Sequence, residues 1–206
     1  MRLESLDASA SDNIQRLRWA LLVTSTPRNL AGFTGAGYDK GRPKIIQALW
    51  ILVSTLVCDR IWCPPQLRVA ILRTFGASIG NNVLIRHGVR IHWPWKLTIA
   101  DNVWIGVDAW LLNLEKITIG SDVCISQGAF LCTGSHDQNS PTFEFDNAEI
   151  VIADGVWIAA RATVLRGVNV GANAVVGAMA LVHKDVPENA RVFAAPSTIA
   201  TRRSAS

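Results

Sequence analysis

The side chains best suited to proton transfer or nucleophilic attack in this sequence are four histidines and four cysteines. Imidazole has an ordinary pKa of about 6.5, so it can take up and release protons near neutral pH. His136 has the most distinctive setting, because it opens a polar stretch, SHDQNSPTFEFDNAE (135–149), that interrupts a regular pattern. Functional residues concentrate on loops carried by a rigid scaffold, so this interruption is the first candidate site.

The pattern that His136 interrupts is an aliphatic residue at every sixth position. It runs from Ile79 to Leu131, with two extra steps of two residues, and it resumes from Ile152 to Val182. The residue two places earlier is usually Val or Ala, and glycine often follows. Helices repeat at 3.6 residues and half-buried strands at 2, so neither produces a period of six. A coil of three short strands and three turns does, and hexapeptide repeats are a signature of parallel β-helices. A β-sandwich is the alternative, which the even spacing disfavours.

This pattern divides the chain into three segments. We predict an N-terminal helical and loop extension, a mainly β prism with one insertion at 135–149, and a C-terminal tail: 1–76, 77–186 and 187–206.

Helix signals define the extension. They predict helices over 11–24, over 44–58, and from Pro64-Pro65 to about Phe75, with a glycine-rich loop at 27–43.

The most apolar stretch of the extension is 45–57, IIQALWILVSTLV, which is too short to cross a bilayer alone. We interpret it as a helix packed on the prism or on a neighbouring subunit, with peripheral membrane contact as the alternative.

Residues 1–12 lack the apolar core of a signal peptide, so we predict a cytoplasmic protein, with a peripheral position at the inner membrane face as the alternative. The net charge of +4 and the lack of a long basic run disfavour a nucleic-acid partner.

Four stretches carry a resemblance to a known family: CTGSHD (132–137), VWIA (156–159), GVNVG (167–171) and VVGAMALVHKD (175–185). They resemble the hexapeptide-repeat acyltransferases, which fold as left-handed parallel β-helices. The likeness is strongest to the sugar and polysaccharide O-acetyltransferases of the galactoside, maltose and nodulation type. Within these, the colanic acid biosynthesis acetyltransferases have near matches to LTIADNVWIG, to LLNLEKITIG and to the upstream loop GYDKGRPK (37–44). The left-handedness is taken from the resemblance, since crossover connections are usually right-handed.

The resemblance implies an acetyl-CoA-dependent O-acetyltransferase that acts on a sugar, polysaccharide or glycolipid hydroxyl, without a metal. It also implies a homotrimer with active sites between subunits. His136 would be the general base, since a hydroxyl is a poor nucleophile unless a base takes its proton during attack. Transfer would be direct, with a backbone N–H stabilising the oxyanion. Cys132 is the alternative covalent nucleophile, although its place in the repeat suggests packing.

The resemblance also implies two sets of binding residues. The acceptor set consists of Asp39, Asp108, Asn113 and Asp137, of which Asp137 is equally well explained as a turn residue. The acetyl-CoA set consists of Trp157 beside the pantetheine arm, the backbone groups of Ala160 and Ala178, and Lys184 near the nucleotide phosphates. His183 joins this set at a position where relatives often have threonine. The tail departs from the family pattern, and Arg202 and Arg203 would substitute there for contact with the 3′-phosphate.

Two departures from the family pattern leave other functions open. Ala159 replaces the glycine that usually follows Trp157-Ile158, and Phe193-Ala194-Ala195-Pro196 lacks the usual glycine before proline. A non-catalytic scaffold therefore stays as an alternative, as do serine and amino-sugar N-acetyltransferases on the same fold. A γ-type carbonic anhydrase would need three histidines around zinc. The four histidines fall at different places in the repeat, which disfavours a common zinc site: His87, His92, His136 and His183.

Overall fold

The computed structural model of the protein describes residues 27–196. The helix predicted over 11–24 and the two tail arginines, Arg202 and Arg203, lie outside the described residues. Among those residues, 27–36 and His136–Glu144 form one compact unit, and Gly37–Ser135 with 145–196 form a second.

The second unit begins with two helices, as predicted. Helix α1 (Lys44–Val53) continues directly as a π-helix (Ser54–Cys58), and helix α2 spans Pro65–Thr74. Pro65 stands in the first turn of α2, where its missing N–H costs no helical hydrogen bond. Short 3₁₀ turns occur at Leu30–Gly32 in the first unit and at Pro94–Lys96 in the second. Within residues 27–196, no helix combines the length and the apolar content needed to cross a bilayer.

The rest of the second unit is a coil of sixteen short strands in three parallel sheets. Face A contains β1 (Ser78–Ile79), β4 (Leu97–Ile99), β7 (Ile117–Ile119), β10 (Ile150–Ile152) and β13 (Asn169–Val170). Face B contains β2 (Leu84–Ile85), β5 (Trp104–Ile105), β8 (Cys124–Ile125), β11 (Trp157–Ile158), β14 (Val175–Val176) and β16 (Arg191–Val192). Face C contains β3 (Arg90–Ile91), β6 (Trp110–Leu112), β9 (Phe130–Cys132), β12 (Thr163–Leu165) and β15 (Leu181–Val182).

The register of these sheets follows from the six-residue period. Each aliphatic residue stacks on its equivalent one turn away, as Ile85 does on Ile105 and Leu111 does on Leu131. These side chains fill the prism and are almost completely buried, and so are the small residues two places earlier, such as Ala109. The predicted fold class, a parallel β-helix of hexapeptide repeats with an N-terminal helical extension, is confirmed.

A second periodic position governs the corners of the prism. On faces B and C, the residue three places before an inward aliphatic has a left-handed backbone, which favours Gly, Asn and Asp. Most such positions carry those residues: Asn82, Gly88, Asn102, Asp108, Asp122, Gly128, Gly155, Asn173 and Asn189. Arg161 and Met179 adopt the same backbone with long side chains, at φ 56° and 62°.

A buried arginine joins the helices to the first turn of the prism. Arg68 is 1% exposed and donates to the carbonyls of Cys58, Arg60, Cys63 and Ile85, at 2.6–3.0 Å. Its planar, fully ionised donor group can satisfy several buried acceptors at once.

Helix α1 packs on the prism through one face only. The indole of buried Trp50 donates to the His92 carbonyl at 2.9 Å and lies 3.2 Å from the Ile91 carbonyl. The opposite face of α1 is exposed. The prediction that this stretch packs on the prism therefore holds for that one face.

Candidate active site

The imidazole of His136 is oriented by a hydrogen bond within the first unit. Its Nδ1 lies 2.7 Å from the carbonyl oxygen of Phe143. A carbonyl can only accept, so Nδ1–H is the donor and the lone pair of the neutral ring lies on Nε2. This is the tautomer that a general base acting through Nε2 requires.

Two aromatic rings fix the plane of this imidazole. The Phe143 ring stacks on it with centroids 4.3 Å apart and planes 6° apart, and Phe33 approaches edge-on at 5.8 Å. Phe143 has a φ of 56°, which is a costly backbone for a bulky residue. Strained backbone of this kind concentrates at functional sites. At Phe143 one unusual residue directs both a carbonyl and a ring at His136.

The loop after His136 is held by residues 27–36. The Glu144 carboxylate accepts hydrogen bonds from the backbone N–H of Thr34 and of Gly35, both at 3.0 Å, and from the Thr34 hydroxyl at 3.2 Å. These bonds, that of the Thr34 N–H foremost, lower the pKa of Glu144. Asn29 N–H also donates to the Pro141 carbonyl at 2.8 Å. Residues 27–36 are not among the predicted site residues. The one sequence feature that pointed to a partner for the insertion was Phe143-Glu144, an aromatic and an acidic residue within it.

Asp137 is engaged in a turn. Its carboxylate accepts the N–H of Asn139 at 2.8 Å, and its own N–H donates to the Glu144 carbonyl at 2.8 Å. Both bonds stabilise the loop 137–144, as the interpretation of Asp137 as a turn residue predicts.

In the second unit, the loop that carries Asp39 is fastened to the prism by a lysine. Lys96 Nζ donates to the carbonyls of Asp39 (2.5 Å) and Leu114 (2.6 Å) and lies 3.3 Å from the Glu115 carboxylate. The Asp39 carboxylate accepts the Gly41 N–H at 2.8 Å. The loop backbone is thus fixed by hydrogen bonds to Lys96, and Asp39 is exposed on it.

Two stacked tryptophans complete this attachment. Trp93 Nε1 donates to the Tyr38 hydroxyl at 2.5 Å, and Trp95 Nε1 donates to the Lys40 carbonyl at 2.7 Å. Their rings stack with centroids 4.8 Å apart. Burial raises the pKa of Tyr38. The role of the corner His92-Trp93-Pro94-Trp95-Lys96 is therefore to position the loop of Asp39, which the spacing alone did not indicate.

The other two predicted acceptor residues lie at different corners of the prism. Asn113 is fully buried, and its amide bonds to the backbone N–H and C=O of Trp93 at 3.0 and 2.6 Å. This gives Asn113 a structural role, because both of its polar atoms are used inside the prism. Asp108 is exposed at a left-handed corner between faces B and C, with φ 58°.

The predicted cofactor residues fall into two groups. Trp157 points outward from face B, half exposed, and its indole donates to the Ser126 hydroxyl at 2.9 Å. Ala160 and Ala178 stand on successive turns of the next corner, where Met179 N–H donates to the Ala160 carbonyl at 3.0 Å. The Ala159 methyl is buried at this corner.

The second group follows strand β15. His183 and Lys184 are both exposed and line a cavity of about 310 Å³ together with Arg191. Asp185 also lines this cavity, so its basic side chains outnumber its one carboxylate, a balance that suits a phosphate-bearing ligand. A cleft of about 560 Å³, lined by α2 and the first turns of the prism, contains none of the predicted site residues. Within the described part of the chain, no three His, Cys, Asp or Glu side chains cluster as metal ligands would.

The class of protein follows from two features. The fold is a parallel β-helix of hexapeptide repeats, and the loop that interrupts the repeats opens with a histidine held by a hydrogen bond. These are the features of a hexapeptide-repeat acyltransferase. No family model matches the sequence. The chain is 39% identical over 180 residues to "Putative colanic acid biosynthesis acetyltransferase WcaF" of Escherichia coli K12, over 85% of this chain and 97% of the relative. It is 25% identical over 140 residues to the galactoside O-acetyltransferase of the same organism, over 65% of this chain and 68% of the relative.

A solved structure shows the same relationship. The hexapeptide-repeat acetyltransferase of Vibrio cholerae O1 biovar eltor, complexed with acetyl coenzyme A, matches with a TM-score of 0.66 and 25% identity. The match covers 76% of this chain and 87% of that one. The chain therefore belongs to the hexapeptide-repeat acetyltransferase family and is an acetyltransferase.

Proposed function

We propose that the protein transfers an acetyl group from acetyl-CoA to a hydroxyl of a sugar, or of a polysaccharide or glycolipid intermediate, with His136 as the general base. The observation that carries this proposal is the hydrogen bond from His136 Nδ1–H to the Phe143 carbonyl. That bond holds the imidazole in the tautomer that accepts a proton at Nε2.

His136 alone can carry both proton transfers of the reaction. Nε2 of His136 takes the hydroxyl proton while the hydroxyl oxygen forms a bond to the thioester carbonyl carbon. A backbone N–H stabilises the oxyanion of the tetrahedral intermediate. The C–S bond then breaks, and the CoA thiolate leaves with the proton returned by the imidazolium. No oxidant, metal or second base is needed.

Direct transfer is supported by the state of the alternative nucleophile. Burial raises the pKa of Cys132, and its Sγ lies 3.3 Å from the Gly134 carbonyl, to which the thiol can donate. The thiolate is the nucleophilic form of cysteine. A thiol that retains its proton at neutral pH is therefore poorly suited to carry an acyl-enzyme.

The binding roles follow the two groups of residues on the prism. Trp157, Ala160 and Ala178 would line the pantetheine arm, with His183 and Lys184 at the phosphates, where Lys184 and Arg191 line the same cavity as Asp185. The buried Ala159 methyl would limit the acyl slot to short chains. Arg202 and Arg203 stay a prediction for the 3′-phosphate.

On the acceptor side, we retain Asp39 as the first candidate, because its loop is fixed by Lys96 and the two tryptophans. Asp108 and Asp137 stay predictions, and Asn113 is left out because its amide is used inside the prism.

We further propose a homotrimer with its active sites between subunits. The outward surfaces of faces B and C carry exposed apolar side chains, including Trp104 (60% exposed) and Leu181 (59% exposed). Extended apolar patches on a chain mark interaction sites, and rings of identical subunits bury two different faces against each other.

The direct test is CoA release from acetyl-CoA against a panel of free sugars, nucleotide sugars and polyprenyl-linked sugars. Hydroxylamine treatment of the product distinguishes an O-acetyl ester, which it cleaves, from an N-acetyl amide, which resists. A hydroxylamine-resistant product would establish N-acetyl transfer instead. Failure to bind CoA in calorimetry would favour a non-catalytic scaffold.

A further inference from the structure

Helix α1 and its π-helical continuation expose an apolar face to solvent, where a surface helix usually carries polar side chains. A surface helix normally directs polar residues to solvent and an apolar stripe to the core. Here the inward stripe consists of residues such as Trp50 and Cys58, whereas the outward positions are also apolar. We call this surface the α1 outer face; its exposed apolar members are Ile45 (77%), Leu49 (47%), Ile51 (57%), Leu52 (55%) and Leu56 (54%).

The turn after the π-helix extends this surface. Ile61 and Trp62 are 77% and 62% exposed. Singly exposed apolar residues are common on proteins, but a contiguous run of large ones marks an interaction site. Tryptophan has an apolar body with one polar N–H, which suits it to an interface between oil and water.

Cations outnumber carboxylates around the α1 outer face. Lys40, Arg42 and Lys44 are exposed before or at the start of α1, and Arg60 is exposed after the π-helix. From Lys40 through Cys58 the sequence contains neither aspartate nor glutamate, although exposed Asp39 precedes this stretch and partly buried Asp59 follows it. The apolar surface is thus bordered by cations at both ends.

We propose that the α1 outer face binds the surface of a lipid bilayer that carries anionic headgroups. The helix would lie in the interfacial plane, with its leucines and isoleucines at the acyl boundary and its cations at the headgroups. Amphipathic helices bind bilayers through this combination of buried apolar area and attraction to anionic lipids. Trp62 would occupy the headgroup level, where tryptophan is enriched.

A second copy of the chain fits this surface less well. In a two-fold contact the same patch meets itself, so the cations that border one copy would face those of the other. The bilayer proposal does not depend on the acyl acceptor. If the acceptor is attached to a lipid, the same surface would bring the enzyme to it.

The test uses the full chain and two kinds of vesicle, phosphatidylcholine alone and phosphatidylcholine mixed with phosphatidylglycerol. Sedimentation should show binding to the mixed vesicles that weakens as salt is raised, because screening reduces the headgroup attraction. Leu52→Gln with Leu56→Gln should lower the partition coefficient by about tenfold or more. Arg42→Gln with Lys44→Gln should lower the partition coefficient on the mixed vesicles by roughly tenfold or more, because each cation near anionic headgroups contributes about 1 kcal/mol.

The matched control is Leu67→Gln, which changes an exposed leucine of helix α2 and should bind the mixed vesicles like wild type. Circular dichroism melts and light scattering accompany each variant. The proposal is overturned if wild type binds neither vesicle, if it binds both equally, or if the paired leucine variant binds like wild type. It is equally overturned if that variant is folded but has a changed oligomeric mass, because the surface would then be a subunit contact.

Discussion

At the residue scale, the imidazole of His136 is held by two groups of the same residue. Phe143 supplies a carbonyl to Nδ1 and a ring to the imidazole face, and it does so from a left-handed backbone. His136 could be predicted from its place at the break of the repeat. Phe143 could not, because the insertion has no period that would assign its side chains to a face.

Separating the two contributions of Phe143 requires two substitutions. Phe143→Gly tolerates the left-handed backbone, so it should keep the carbonyl in place and lose only the ring, with kcat falling about tenfold or less. Phe143→Val is β-branched and unfavourable at this φ, so it should displace the carbonyl and lower kcat by roughly a hundredfold. Steady-state kinetics with acetyl-CoA at saturation makes the comparison. Equal losses in the two variants would argue against a role for the carbonyl.

His92 gives a prediction for stability against pH. Burial, with Lys40 and Lys96 nearby, lowers the pKa of His92 below its ordinary value of 6.5. The unfolded chain therefore binds this proton more readily than the folded chain does. Stability should be complete above about pH 6.5 and should fall as the pH is lowered below that value.

The measurement is the urea midpoint between about pH 7.5 and about pH 5.5, a window above the titration of most carboxylates. His92→Gln should show a smaller decrease than wild type across the window. If the two decreases are the same, His92 does not make this contribution.

At the element scale, the fold depends on repeated corners and on one junction. The inward positions followed from the period of six. The left-handed corner residues could also have been predicted, because Gly, Asn or Asp stands three places before most inward aliphatics. The attachment of Asp39's loop by Trp93, Trp95 and Lys96 could not, since it joins segments far apart in sequence.

The junction prediction concerns Arg68. Arg68→Met should destabilise the chain by about 3–5 kcal/mol, because four carbonyls, three of them in buried hydrogen bonds, lose a charged donor. Urea unfolding measures the change in the free energy of unfolding. The control is Arg86→Met, at an exposed arginine of the prism, which should change that free energy by less than about 0.5 kcal/mol. A small effect at Arg68 would show that water or another group replaces its donors.

The corner prediction concerns Met179, whose left-handed backbone is occupied by an exposed methionine. Met179→Gly should stabilise the chain by about 0.5–1 kcal/mol, since relief of the left-handed backbone exceeds the added chain entropy of glycine. Met179→Ala keeps the unfavourable φ and should show no such gain. Urea unfolding of both variants decides, and a loss of stability in the glycine variant would contradict the assignment.

At the scale of the whole molecule, one repeat explains the scaffold and its interruption marks the site. The family and the fold were predictable because the inward residues recur with little variation over the length of the prism. The acceptor was not, because loops determine it and loops carry no period. Asn113 illustrates the difficulty: its position suggested acceptor contact, and its amide instead holds Trp93 inside the prism.

The central claim, that His136 is the general base of acetyl transfer, is tested most directly by His136→Ala measured beside His87→Ala. Loss of the base should lower kcat by about 10² to 10⁴-fold. The Kd for CoA and the melting temperature should stay unchanged, and His87→Ala should remain near wild type. Near-normal turnover in folded His136→Ala would contradict the account.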